Sequence, residues 1–133
     1  MAHLYATKVL QKCQEGCTIF VKLCQMSPKD QNHVCIDTNQ ASWQPGEVSG
    51  LQMMPLRCFH TEQVFLMKWE ALTHYPHYTH SSSSEVLVLD GVWEDEYGKY
   101  PKGTWLRSPV GSSHSPFSQE GCLLYAKTGH LPA

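Results

Sequence analysis

Three side-chain clusters in the second half of the chain could do chemistry. The first is His77-Tyr78-Thr79-His80, with His74 just before it. The second is Glu85-Val-Leu-Val-Leu-Asp-Gly91, and the third is Pro109-Val-Gly-Ser-Ser-His114-Ser-Pro116. Imidazole is a common metal ligand, and its ordinary pKa near 6.5 suits it to proton transfer. Eight histidines in 133 residues therefore point to metal binding or acid–base work. A plainer reading stands beside this one: His80 and His114 as hydrogen-bonding groups in a polar interior, His74 as an exposed loop residue. The acidic run Glu94-Asp95-Glu96 precedes Tyr97-Gly98 and reads as a solvated hairpin turn.

Cysteine is the second chemically active type, with six copies. None forms a Cys-x-x-Cys pair, and Cys13-x-x-x-Cys17 has no second pair at zinc-ribbon spacing. Free thiols in a reducing cytoplasm are expected, with a metal or redox role for the N-terminal cysteines as the alternative.

The elements that must position these groups read as strands. Residues 18–26 (TIFVKLCQM) are β-branched and apolar. Residues 51–59 and 63–71 read as two strands around a polar turn, and 85–94 as the strongest strand, with 34–37, 104–107 and 122–127 as shorter ones. Gly and Pro between them mark turns. Residues 6–13 read as a short helix or the first arm of a hairpin. Short, evenly spaced strands indicate an all-β sandwich or barrel. Trp69, Trp93 and Trp105 read as core packing.

Composition narrows the function. The charge of −2 and the two arginines, Arg57 and Arg107, argue against a nucleic-acid-binding face. No apolar run reaches the ~18 residues of a membrane span, and no secretory signal is visible at the N-terminus, so a cytoplasmic protein is expected. A chain of 133 residues fits one domain.

The order of the clusters resembles the cupin fold, and most closely the cupin domain of ChrR-type anti-sigma factors and their stand-alone relatives. The resemblance rests on Leu87-Val-Leu-Asp-Gly91-Val-Trp-Glu-Asp-Glu-Tyr97-Gly98, then Gly103-Thr104, Arg107-Ser-Pro109, Gly111-Ser-Ser-His114-Ser-Pro116 and Gly121-Cys122. It implies a cupin (RmlC-like) antiparallel jelly-roll barrel over 36–133. Residues 1–35 are then an arm of extra strands or a short helix, packed on the barrel or exchanged with a partner. It also implies a three-histidine, one-carboxylate site for zinc, iron, manganese or nickel. Anchored on Gly91, His80 falls on the second histidine of the family pair and His114 on the final one. Tyr78 falls on the first histidine and Ser84 on the glutamate, so two of the four ligands are replaced by hydroxyls. A bulge at His77 or a one-residue slip at Glu85 would restore a third ligand.

Three functions are weighed. The first is a small-molecule-binding or sensing cupin whose pocket holds Tyr78, His80, Ser84 and His114, with or without metal. The second is a metal-dependent, dioxygenase-like enzyme using His80, His114 and either His77 or Glu85. The third is a structural or interaction module. A homodimer is expected in each case, because outward-facing Leu87 and Leu89 need cover.

Overall fold

The structure is a computed structural model; it describes residues 13–130. The chain divides into two compact units, Met1–Val34 and Cys35–Ala133. The helix or hairpin arm expected over 6–13 lies almost wholly outside the described residues. The strand expected over 18–26 does not form. That stretch has no regular structure, Cys24 turns the chain with φ of 59°, and Ile19, Phe20, Val21, Leu23 and Met26 are exposed. A strand needs a neighbouring edge to pair with, and no strand pairing among the described residues includes this stretch. Residues 34–37 likewise form no strand.

The second unit is all-β, and every strand pairing is antiparallel. Its strands are β1 (Gln44–Pro45), β2 (Leu51–Phe59), β3 (Glu62–Trp69), β4 (Thr73–His74), β5 (Tyr78–Thr79), β6 (Ser84–Asp95), β7 (Gly98–Pro101), β8 (Trp105–Ser108), β9 (Ser113–His114), β10 (Phe117–Ser118) and β11 (Cys122–Thr128). A nine-stranded sheet runs β1-β2-β3-β11-β6-β10-β4, with β7 and β8 also on β6; β5 and β9 form a separate pair. The sheet curls into the jelly-roll half-barrel that the resemblance implied. The long strands match the sequence reading to within one or two residues. The two-residue strands and β7 are not among the strands expected above, since so short a stretch carries little periodicity.

β6 is the spine of the fold. Its first half pairs with β11 and β8, its second with β7 and β10. Between them the register with β11 slips by one residue, from Leu124↔Val88 to Leu123↔Asp90. Gly91 follows with φ of 72°, and a Cβ there would sit 2.1 Å from the Gly121 carbonyl oxygen, so only glycine fits. The bulge changes which residues look inward. Before it they are Ser84, Val86 and Val88; after it, Trp93 and Asp95. The core under this wall comprises Leu51, Trp69, Val86, Val88, Trp93, Cys122, Leu124 and Ala126. Leu124 and Val88 are essentially inaccessible, each worth about 1.5–3 kcal/mol of burial.

Candidate functional site

The two-residue strands place the histidines. β5 pairs with β9 so that Tyr78 lies opposite His114, and His80 follows with its N–H donated to the Ser112 carbonyl at 2.8 Å. Across from them, the second half of β6 delivers Asp95. Its Oδ2 lies 3.0 Å from His114 Nδ1, while Oδ1 accepts from the Tyr100 hydroxyl and the Tyr97 N–H, both at 2.8 Å. Burial alone would raise the Asp95 pKa. The hydrogen bonds from His114, Tyr100 and Tyr97 outweigh it and hold the carboxyl below its ordinary value.

An ionised carboxylate only accepts, so His114 Nδ1 carries a proton. In the neutral ring that leaves a lone pair on Nε2, which faces Tyr78 Oη at 2.8 Å and His80 Nε2 at 3.2 Å. In that tautomer the Tyr78 hydroxyl donates to it. Burial pushes the Tyr78 pKa up to about 12, with the charges of Tyr75 and Asp95 adding to the effect. Burial and the neighbouring His114 lower the His80 pKa, so at pH 7 its ring is neutral. The result is a chain, Asp95–His114–Tyr78 with His80 alongside. Trp93 packs edge-on to His114 at 5.6 Å between ring centroids and Tyr75 edge-on to Tyr78 at 5.3 Å.

The cluster borders a cavity of about 400 Å³ inside the half-barrel. Tyr78, His80 and Ser84 line it, with Phe65, Trp69 and Trp93 among its apolar walls. Glu47 at its rim accepts a hydrogen bond from the Tyr75 hydroxyl. Such a volume lies within the 300–1,000 Å³ or so of small-molecule sites.

The geometry brings Tyr78, His80 and His114 together; Tyr78, His80 and Ser84 line the cavity, whereas His114 meets it only through Tyr78 and His80. His77 and Glu85 do not join them. No bulge swings His77 inward: its ring is exposed and its Nδ1 lies 2.9 Å from Ser115 Oγ. No slip turns Glu85 inward, because β6 pairs regularly with β11 and β8 from Ser84 to Leu87. Glu85 faces the other side of β6, buried, with Oε1 3.2 Å from Nε2 of His130. Two corrections concern other residues. Trp105 is not core; it is 51% exposed on the outer face opposite Leu87. Asp95 is not in a solvated turn, since its side chain is only 5% exposed. The parity of the VLVL run hid it, because that parity reverses at the bulge.

The sequence of residues 31–132 matches the model of the ChrR cupin-like domain family. The chain belongs to the ChrR cupin-like family. No curated protein matches it. Among solved structures it is similar to an RmlC-like cupin protein from Ralstonia eutropha JMP134, with 18% identity, TM-score 0.67, and coverage of 78% of this chain and 73% of that one. It is similar to the Rhodobacter sphaeroides complex of SigE with the anti-sigma ChrR, at 20% identity and TM-score 0.62, covering 70% of this chain and 52% of that one. It thus spans about half the length of that structure's chain. A putative acetylacetone dioxygenase from Methylibium petroleiphilum PM1 aligns at 11% identity and TM-score 0.69, covering 77% and 81% of the two chains. At these identities the structural likeness shows the fold alone.

The cupin site can now be tested for a metal. The His80 and His114 Nε2 atoms, 3.2 Å apart, have the separation of two ligands on one ion, roughly 2.9–3.4 Å for bonds near 2.1 Å. The remaining donors do not complete the set. Tyr78 would have to give up a proton held at about 12, Ser84 is a neutral hydroxyl, and the nearest carboxylate, Asp95, is spent on His114 Nδ1. Among the described residues no three His, Cys, Asp or Glu side chains converge as ligands. The residues present do not fit the three-histidine, one-carboxylate centre of the resemblance. Among the described residues no helix is long and apolar enough to cross a membrane.

Proposed function

We propose that this cupin domain binds a small molecule in its half-barrel, for sensing or carriage, through a pocket that works without a metal. The observation that carries this reading is a hydrogen-bonded chain, Asp95–His114–Tyr78, beside a cavity of about 400 Å³. Asp95 orients His114, His114 orients Tyr78, and His80 presents a neutral ring to the occupant. No nucleic acid and no membrane enters this function, and a reducing cytoplasm suits its unpaired thiols.

A second reading, a metal-dependent enzyme of the dioxygenase kind, is favoured by the 3.2 Å separation of the two imidazole nitrogens. One experiment separates the two. Protein made without a histidine tag is dialysed against a chelator, then examined by elemental analysis and native mass spectrometry. The binder reading expects no stoichiometric transition metal and a small-molecule adduct or an occupiable cavity. A transition metal retained one per chain would overturn it.

A homodimer is part of the proposal, with the outer face of β6 and β8 as its seam. Exposed Trp105 stands opposite half-buried Leu87 there. Exchange of the N-terminal arm between copies belongs to the same proposal.

A further inference from the structure

The cavity wall is ordered in tiers. β3, β11, β6 and β8 lie side by side, and their register puts Gln63, Thr128, Ser84 and Ser108 in one row. All four line the cavity. Among the described residues none of these side chains has a hydrogen-bond partner, and none has a polar atom sealed from access. The next inward row is apolar throughout: Phe65, Ala126, Val86 and Leu106. In the row after that, Met67 lines the cavity beside core residues Leu124 and Val88, and Trp69 and Trp93 line it as well. No lysine or arginine lines the cavity, and its one carboxylate, Glu47, is engaged by Tyr75.

A row of amide and hydroxyl groups at one level of an otherwise apolar barrel has a specific use. Such groups satisfy an oxygen-bearing edge of a ligand, whose apolar body then fills the tiers below. A charged group entering this space would lose its water and gain no counter-charge. From this we infer that the pocket takes an uncharged, largely apolar compound bearing a hydroxyl or carbonyl group, with that group on the Gln63–Thr128–Ser84–Ser108 row. This ligand class rests on the binding function proposed above and deepens it.

Three matched probes test it by equilibrium dialysis at pH 7: 2-naphthol, 2-methylnaphthalene and 2-naphthoate. They share a ring system and differ in one substituent, which is a neutral donor–acceptor, an apolar group or an anion. The expected order is 2-naphthol tightest, 2-methylnaphthalene weaker by about tenfold, the scale of one or two hydrogen bonds, and 2-naphthoate without measurable binding. In the Ser84→Ala, Ser108→Ala variant the ratio of the 2-naphthol to the 2-methylnaphthalene affinity should fall to about one. Should that pair of substitutions impair folding, Thr128→Val alone should reduce the preference, and the wild-type order stands as a separate result. Equal binding of 2-naphthol and 2-methylnaphthalene, strong binding of 2-naphthoate, or an unchanged preference in the variant would overturn the ligand class while leaving a binding cavity. Binding by none of the three would overturn both readings.

Discussion

Replacing Asp95 by Asn tests the reasoning about the site most directly. The substitution keeps shape and removes charge. The amide oxygen can still accept from Tyr97 N–H and Tyr100 O–H, which meet Oδ1 at 2.8 Å. The amide nitrogen then faces His114 Nδ1, 3.0 Å from the other oxygen in the native protein. Two donors would oppose each other there unless the imidazole moves its proton to Nε2, where it meets Tyr78. The pair is hardly screened, with side-chain exposures of 9% for His114 and 5% for Asp95. Loss of one charge-assisted hydrogen bond and weakening of two others should cost about 2–3 kcal/mol. For a domain of this size that lowers Tm by about 8–15 °C. The effect has a required pH dependence. Asp95 has a depressed pKa in the folded state, so its stabilisation is present above the ordinary value of 3.8 and disappears as pH falls through the folded value. The gap between wild type and Asp95→Asn should therefore be full at pH 7 and close toward pH 2. Thermal unfolding across that range measures it, and imidazole nitrogen shifts report the tautomer of His114. An unchanged Tm at pH 7, or a gap of equal size at both ends of the pH range, would refute the assignment.

Gly91→Ala should destabilise the domain by at least about 2 kcal/mol in chemical denaturation, because it combines a positive φ with a backbone clash. The lowered pKa of His80 makes its protonation unfavourable in the folded state. Stability should hold above pH 6.5 and decline as pH falls below it, and His80→Gln should flatten that decline in a pH series of unfolding curves. Tyr78→His with Ser84→Glu would supply the two missing ligands. Calorimetric titration of that variant with zinc should show binding at least roughly 100-fold tighter than wild type, and no gain would contradict the alignment that sets Tyr78 and Ser84 at ligand positions. Light scattering should report a dimer at micromolar concentration, weakened by Trp105→Asp; a monomeric wild type would remove the proposed seam.

Much of this was legible in the chain itself. β2, β3, β6 and β11 are long enough for alternation and β-branching to reveal them, and the Gly91 anchor placed His80, His114, Tyr78 and Ser84. The segment 18–26 misled because its composition favours a strand while strand formation depends on a partner's edge. β5 and β9 were invisible because two residues have no period, although they set Tyr78 against His114.

By itself the sequence determined the cupin fold, and the resemblance set Tyr78 and Ser84 against two of the family's four ligand positions, since both readings rest on residue identity at fixed spacing. Only the tertiary structure decided what stands behind His114. One extra residue in β6 and the left-handed turn at Gly91 reverse the inward parity of the strand. That reversal carries Asp95 from an apparent surface turn to the back of His114. A bulge is a property of two strands in register, set by how Leu123 and Leu124 of β11 meet β6. It leaves no mark in the strand's own alternation. The same register aligned Gln63, Thr128, Ser84 and Ser108, four residues far apart in the chain, into one polar row above an apolar floor.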